Sequence, residues 1–199
     1  MELANLGLVG NCQIAAHIAH DGSVVWCCLP RFDAPPVFGA LLDEGGGRFQ
    51  IGAADGSAGR QRYLPNTNIL ETTFETNEGA FRVLDFAPRF IQYDRSFRPK
   101  KLVRIVEPIS GMPRVRVVCD PVLGWSKARP RRTDGSNHIS FDGYNCQSDT
   151  VVYALVAQFE QVRIAGAGEY IFRQRHPLFV GEILFKLLNS KDIAILSPL

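Results

Sequence analysis

Two arms rich in apolar and β-branched residues face one another across a short polar turn in Ile69-Leu70-Glu71-Thr72-Thr73-Phe74-Glu75-Thr76, Asn77-Glu78-Gly79 and Ala80-Phe81-Arg82-Val83-Leu84-Asp85-Phe86. Alternation of period two with a glycine in the turn is the pattern of a β-hairpin. Working outward, Gly and Pro cut the whole chain into similar short stretches, and no long helical period appears. The rhythm is all-β.

Toward the N-terminus, Asp21-Gly22 separates Ile14–Ala19 from Val24–Leu29, predicting a second hairpin with a two-residue type I′ turn. Its second arm is apolar on both faces, as for a strand buried between two layers. A helix over Gln13–His20 is the alternative, since alanine is abundant there. Pro30, Pro35 and Pro36 make Arg31–Pro36 irregular. Val37–Leu42 reads as one helical turn and Arg48–Ile51 as a strand.

Toward the C-terminus, Lys101–Glu107 and Arg114–Asp120 repeat the strand–turn–strand pattern around Pro108 to Pro113, with Arg104, Arg114 and Arg116 expected on a wet face. A polar insertion, Trp125–Gly135, follows, and strand signals resume at His138–Phe141, Val151–Phe159 and Tyr170–Arg175. About ten strands exceed what one small open sheet usually holds, so the expected fold is a two-sheet antiparallel β-sandwich of supersandwich type. Residues 1–178 form this domain. Residues 179–199 are either closing strands or a tail with a short helix at Ile183–Leu188 followed by Asp192–Leu196.

At 199 residues with 22 basic and 20 acidic side chains, the chain has no field strong enough to argue nucleic acid or an anionic membrane surface. Area scaling allows roughly 70% of the chain's surface to be buried, enough for one sizeable core without disulfide staples. No apolar run approaches the roughly 20 residues of a membrane span, and Met1–Asn5 lacks a secretory leader's pattern. Five cysteines, Cys12, Cys27, Cys28, Cys119 and Cys146, include a vicinal pair ill-suited to a disulfide and read as free buried thiols. The expected location is cytoplasmic.

Cys12, His17, His20, Cys27 and Cys28 bracket one hairpin, but no Cys-x-x-Cys occurs and adjacent cysteines on a strand point to opposite faces, so no metal and no cofactor is expected. Lys127, Arg129, Arg131 and Arg132 beside Trp125 have the chemistry to contact phosphates, yet equally fit a solvated loop. Glu71, Glu75, Asp85, Glu107 and Asp120 read as exposed strand charge, and no catalytic pair is assigned. The stretch Trp26–Pro35 stands apart. It leads from an aromatic strand end into a proline-stiffened loop displaying Arg31, Phe32 and Asp33 in succession. Two readings of that loop stand: Arg31 and Asp33 bond sugar hydroxyls while Phe32 offers a flat face, or Arg31 and Asp33 clamp each other with Phe32 in the core.

Gly10-Asn11-Cys12, Asp21-Gly22-Ser23, Trp26, Pro30-Arg31-Phe32-Asp33, Arg62-Tyr63, Leu70-Glu71-Thr72, Asp85-Phe86-Ala87-Pro88 and Leu102-Val103-Arg104 occur in the order seen in a known family. On these motifs the chain resembles the N-terminal β-sandwich domain of bacterial and archaeal glucoamylases, glucodextranases and trehalases, over Leu6 to Cys119 in particular. The resemblance implies a non-catalytic domain that precedes an (α/α) barrel, whose two glutamates cleave α-glucosides with inversion. Inversion needs carboxyls roughly 6.5–9.5 Å apart to seat a water. It also implies that Trp26, Arg31, Phe32 and Asp33 bind substrate or dock on the barrel. The partners expected on this reading are the barrel, in cis or in trans, and an α-glucoside. The rival is an independent oligosaccharide-binding or self-associating module, since unpaired sandwich edges and an apolar tail invite homodimers.

Overall fold

A computed structural model describes residues 3–134, 138–143, 151–157, 162–164, 169–173 and 178–187; beyond 134, side chains are described only at Ile139 and Phe141. Cys146 and residues 188–199, with the expected Asp192–Leu196 segment, lie outside the described residues. No helix among the described residues is long and apolar enough to cross a membrane.

Eighteen strands appear among the described residues: β1 (Gly7–Gly10), β2 (Ala15–Ile18), β3 (Ser23–Cys28), β4 (Pro36–Phe38), β5 (Arg48–Ala53), β6 (Arg60–Tyr63), β7 (Leu70–Thr76), β8 (Gly79–Phe86), β9 (Phe90–Gln92), β10 (Arg95–Phe97), β11 (Lys101–Gly111), β12 (Arg114–Asp120), β13 (Arg131–Asp134), β14 (His138–Gly143), β15 (Val151–Ala157), β16 (Val162–Ile164), β17 (Glu169–Arg173) and β18 (Leu178–Leu187). One eight-stranded sheet runs β1-β2-β3-β5-β12-β17-β16, with β4 beside β3. The other runs β13-β14-β15-β18-β11-β8-β7-β6. All pairings are antiparallel, and β9 with β10 forms a separate hairpin. The expected all-β double sheet is the fold.

Alternation explains the central hairpin. On β8, Phe81, Val83 and Asp85 face inward, while β7 turns Leu70, Thr72 and Phe74 the same way. Phe74 and Phe81 are register partners with stacked rings 4.8 Å apart, a contact worth about 1 kcal/mol beyond its area. Opposite them, β1, β2, β3, β5 and β12 contribute Val9, Ala16, Ile18, Val24, Phe49, Ile51, Val115 and Val117, all essentially inaccessible, and the core lies between the sheets.

Several local expectations are corrected. Gln13–His20 is not helical, since β2 occupies its middle. The turn that follows is not type I′, which needs positive φ at both central residues: Gly22 has φ +78° but Asp21 does not. The Gly22 amide instead donates to the Ala19 carbonyl, the Ala19 amide donates to the Ser23 carbonyl, and a register shift follows between His17 and Ile18. Val37–Leu42 begins as strand β4, and the nearest helical turn is a 3₁₀ turn at Glu44–Gly46 whose cap, Asp43, accepts from the Gly45 amide.

Strands β11 and β12 do not pair. β11 lies between β8 and β18 in one sheet and β12 between β5 and β17 in the other, so residues 111–114 are a corner between layers. Alternation reports which face is buried, not which neighbour fills the ladder. Of the two readings for the chain's end, Leu178–Leu187 forms a strand and Ile183–Leu187 is not helical.

Candidate functional site

The loop after β3 carries the residues singled out from sequence. Arg31 makes a bidentate contact with Asp33, Nε to Oδ1 and Nη2 to Oδ2 both at 2.9 Å, and the Ala34 amide closes a turn on the Arg31 carbonyl. Both charged side chains are about 70% exposed (72% and 71%), so the pair contributes little to stability; it stiffens the display. Phe32 is 56% exposed. The clamp between Arg31 and Asp33 is therefore formed, but Phe32 stands out of the core instead of filling it.

The fourth residue, Trp26, is half-buried on β3 and packs at 6.2 Å against Trp125, which is exposed. Sequence separation hid that pair. The polar insertion folds back beside the loop: the Val122 amide donates to the Val37 carbonyl, and the backbone of Gly124 lies so close to Pro35 that an added Cβ would meet its ring at 2.6 Å. Lys127 pairs with Asp43 at 2.7 Å, Arg129 with Asp120 at 2.6 Å and Arg132 with Asp134 at 2.8 Å. Three of the insertion's four cations are thus held by carboxylates, while Arg131 is exposed and makes no ion pair among the described residues. The loop and the insertion present an indole pair, the Phe32 ring, the clamped Arg31 and the exposed Arg131.

The strand carboxylates hold the fold together, and here the sequence expectation fails most clearly. Arg104, expected on a wet face, is inaccessible to solvent, as is Asp85. Arg104 gives Nε to Asp85 Oδ1 at 2.7 Å and Nη2 to Oδ2 at 3.2 Å; Nη1 donates to the Phe49 carbonyl and Nη2 to the Gly22 carbonyl. Its guanidinium also lies 4.8 Å from the centre of the Phe49 ring. One side chain therefore ties β11 to β8 within its sheet and to β5 and the Asp21-Gly22 turn across the core. Burial pushes the Asp85 carboxyl above its ordinary range, with the guanidinium pulling against it.

Glu71, also expected to be exposed, is buried on the other face of β7. It is bracketed by Arg62 and Arg82, and Arg82 continues to Glu107 at 2.7 Å, a charge ladder across four strands. The hydrogen bond from Arg62 holds the Glu71 carboxyl below its usual value, aided by Arg82. The described glutamates and aspartates singled out from sequence are thus engaged by arginines, except Glu75, which is exposed.

The bracketing cysteines and histidines do not converge. Cys12, expected to be buried, is exposed, whereas Cys27 and Cys28 are buried as expected, and the described residues contain no group of three or more His, Cys, Asp or Glu able to hold a metal ion. Burial raises the Cys27 and Cys28 thiols and pushes Cys119 up to about 12.

One residue had no role assigned from sequence. Asn11, 2% exposed, donates its amide to the carbonyls of both Pro88 and Pro99, at 2.9 and 2.7 Å, while its oxygen accepts from the Gln13 and Ile14 amides. Pro88 and Pro99 are the two feet of the β9–β10 hairpin, whose tip, Tyr93-Asp94, has positive φ at both residues. That hairpin escaped sequence reading because its turn lacks glycine or asparagine.

The motifs that carried the resemblance meet in space: Asp21-Gly22 with Arg104, Arg104 with Asp85, Arg62 with Glu71, and Asn11 with Pro88. No solved structure matches the chain. Among curated proteins it is 33% identical over 139 residues to a trehalase of Mycolicibacterium smegmatis, covering 63% of this chain and 21% of that protein. It is 30% identical to a trehalase of Mycobacterium tuberculosis over 63% of this chain and 20% of that one. With Trehalase 1 of Sulfolobus acidocaldarius it is 42% identical over 84 residues, 42% of this chain and 15% of the relative. The chain thus spans about a fifth or less of the length of these relatives. The family model described as trehalase-like, N-terminal, matches residues 1–162, and with those paired motifs in place the chain belongs to that family.

Proposed function

We propose that this chain is the non-catalytic sandwich domain of an α-glucoside hydrolase, with trehalose as its substrate, and that it supports and lines the active site of an (α/α) barrel supplied in cis or in trans. The observation that carries the reading is the family match over 1–162, in a chain that spans only a fifth of its trehalase relatives. The carboxylates support it: Glu71, Asp85, Glu107 and Asp120 are bound by arginines, whereas inversion needs one acid free to protonate and another free to activate water. On this reading the Pro30–Pro35 loop lies at the pocket mouth, with Arg31, Phe32 and Asp33 offered to the substrate or the barrel and Trp26 and Trp125 behind them. The free thiols of Cys12, Cys27, Cys28 and Cys119 support a reducing, cytoplasmic setting.

The test is an assay of the purified chain on trehalose, maltose and isomaltose. No turnover is expected; turnover that follows the chain through purification overturns the proposal. A second reading, an independent oligosaccharide-binding module, is favoured by the exposed Trp125 and Phe32. Calorimetry with glucose oligomers separates the two, since heat abolished by Phe32→Ala or Trp125→Ala supports the module and absence of heat supports the barrel-bound role.

A further inference from the structure

The β9–β10 hairpin is built like an arm. Its residues are all exposed, including Phe90 (47%), Ile91 (79%), Tyr93 (87%) and Phe97 (39%), and Phe90 and Phe97 stack with centroids 5.6 Å apart. A two-stranded hairpin is marginal by itself, and an apolar surface of this kind facing water is a liability unless something covers it. Yet its base is engineered into the core: the buried amide of Asn11 grips the carbonyls at both feet, Pro88 and Pro99. The arm is also cationic. Arg89, Arg95, Arg98 and Lys100 flank the aromatic residues along the chain, with Asp94 as the one carboxylate between them, and these four cations make no ion pair among the described residues.

Resting on the function proposed above, we propose that this arm is the contact by which the sandwich grips its catalytic barrel, its rings seated on an apolar patch rimmed by aspartate and glutamate. Two observations choose this occupant. Two copies meeting arm to arm across a two-fold axis would bring like charges together, which is repulsive. The trehalase relatives, in contrast, carry roughly four-fifths of their length beyond the matched part, so a large companion surface accompanies this domain in them.

The experiment places a benzophenone-bearing phenylalanine at position 93 or, separately, at position 32 of the protein as its gene encodes it. Irradiation in the host cell is followed by mass spectrometric mapping of the cross-linked peptides. A cross-link from position 93 to a glycoside hydrolase barrel, in the same polypeptide or another, is expected. Its yield should fall about fivefold or more in Arg95→Glu and in Ile91→Ser, without change in the thermal midpoint, because these side chains are exposed. A barrel cross-link from position 32 but none from 93 overturns the arm while leaving the proposed function standing. No barrel cross-link from either position overturns both. Cross-linking of position 93 to residues 89–98 of another copy, or to any other class of protein, also overturns the arm.

Discussion

Replacing Arg104 with methionine leaves Asp85 alone in the core and strips donors from the carbonyls of Phe49 and Gly22. With charge centres roughly 4 Å apart and an effective dielectric of about 20, the lost attraction is about 4 kcal/mol. That agrees with the roughly 3–5 kcal/mol found when one partner of a buried pair is removed. Against a total stability of about 5–15 kcal/mol, and with a urea slope near 3 kcal/mol per molar, the midpoint should drop by about 1.3 M. The assay is urea unfolding followed in parallel by tryptophan fluorescence and far-ultraviolet circular dichroism, whose coincidence checks the two-state assumption. Because burial already raises the Asp85 pKa, loss of Arg104 raises it further. A carboxyl with a raised folded-state pKa stabilises below its unfolded value and loses that contribution as pH rises, so the variant's deficit should narrow toward pH 4. The double variant Arg104→Met/Asp85→Leu removes both charges and should return to within about 2 kcal/mol of the parent. A single variant within about 1 kcal/mol of the parent, or a double variant no better than the single, refutes the bridge as the tie between the sheets.

Glu71→Gln should destabilise at neutral pH by about 1–3 kcal/mol. Since Arg62 and Arg82 depress the Glu71 pKa, its contribution is present above the unfolded value of about 4.3 and lost as pH falls through the folded one, so thermal midpoints of parent and variant should converge in acid. Gly22→Ala should cost about 3 kcal/mol or more, because its φ is +78° and the new Cβ would strike the Ile51 carbonyl. Gly56→Ala, with φ +81° but open space around it, should cost only about 1 kcal/mol; equal midpoints in urea would contradict this. In a Cys146→Ser background, Cys12 should react with a disulfide reagent at pH 8 in the folded protein, while Cys27, Cys28 and Cys119 should react only after unfolding; fast reaction of all four would contradict the burial described here.

Alternation made the sheets legible before any coordinates: the inward residues of β7 and β8 follow directly from the spacing of Leu70, Phe74, Phe81 and Val83. The same spacing also placed Asp85 and Arg104 inward, two residues on from Val83 and from Leu102. Residue type overrode period there, since charged groups rarely sit in cores unless paired, and the pairing partner is invisible in a linear chain. The pairings of β11 and β12 were lost for a related reason, because a corner between layers looks like a turn within one. At the candidate site, the loop from Pro30 to Pro35 was readable from its prolines. The Trp26–Trp125 contact and the arm at 90–97 were not, one being long-range and the other lacking a recognisable turn.

Strand β18 sits between β15 and β11, in the middle of its sheet. During synthesis, β11 is therefore released with one whole flank of amides and carbonyls unsatisfied until about seventy more residues have emerged to supply the neighbour. Ladders closed from so far away form slowly, and an open flank meanwhile invites pairing with a nascent sibling. Yield of this protein from a cell should therefore depend on translation speed and chaperone supply more than its finished stability suggests.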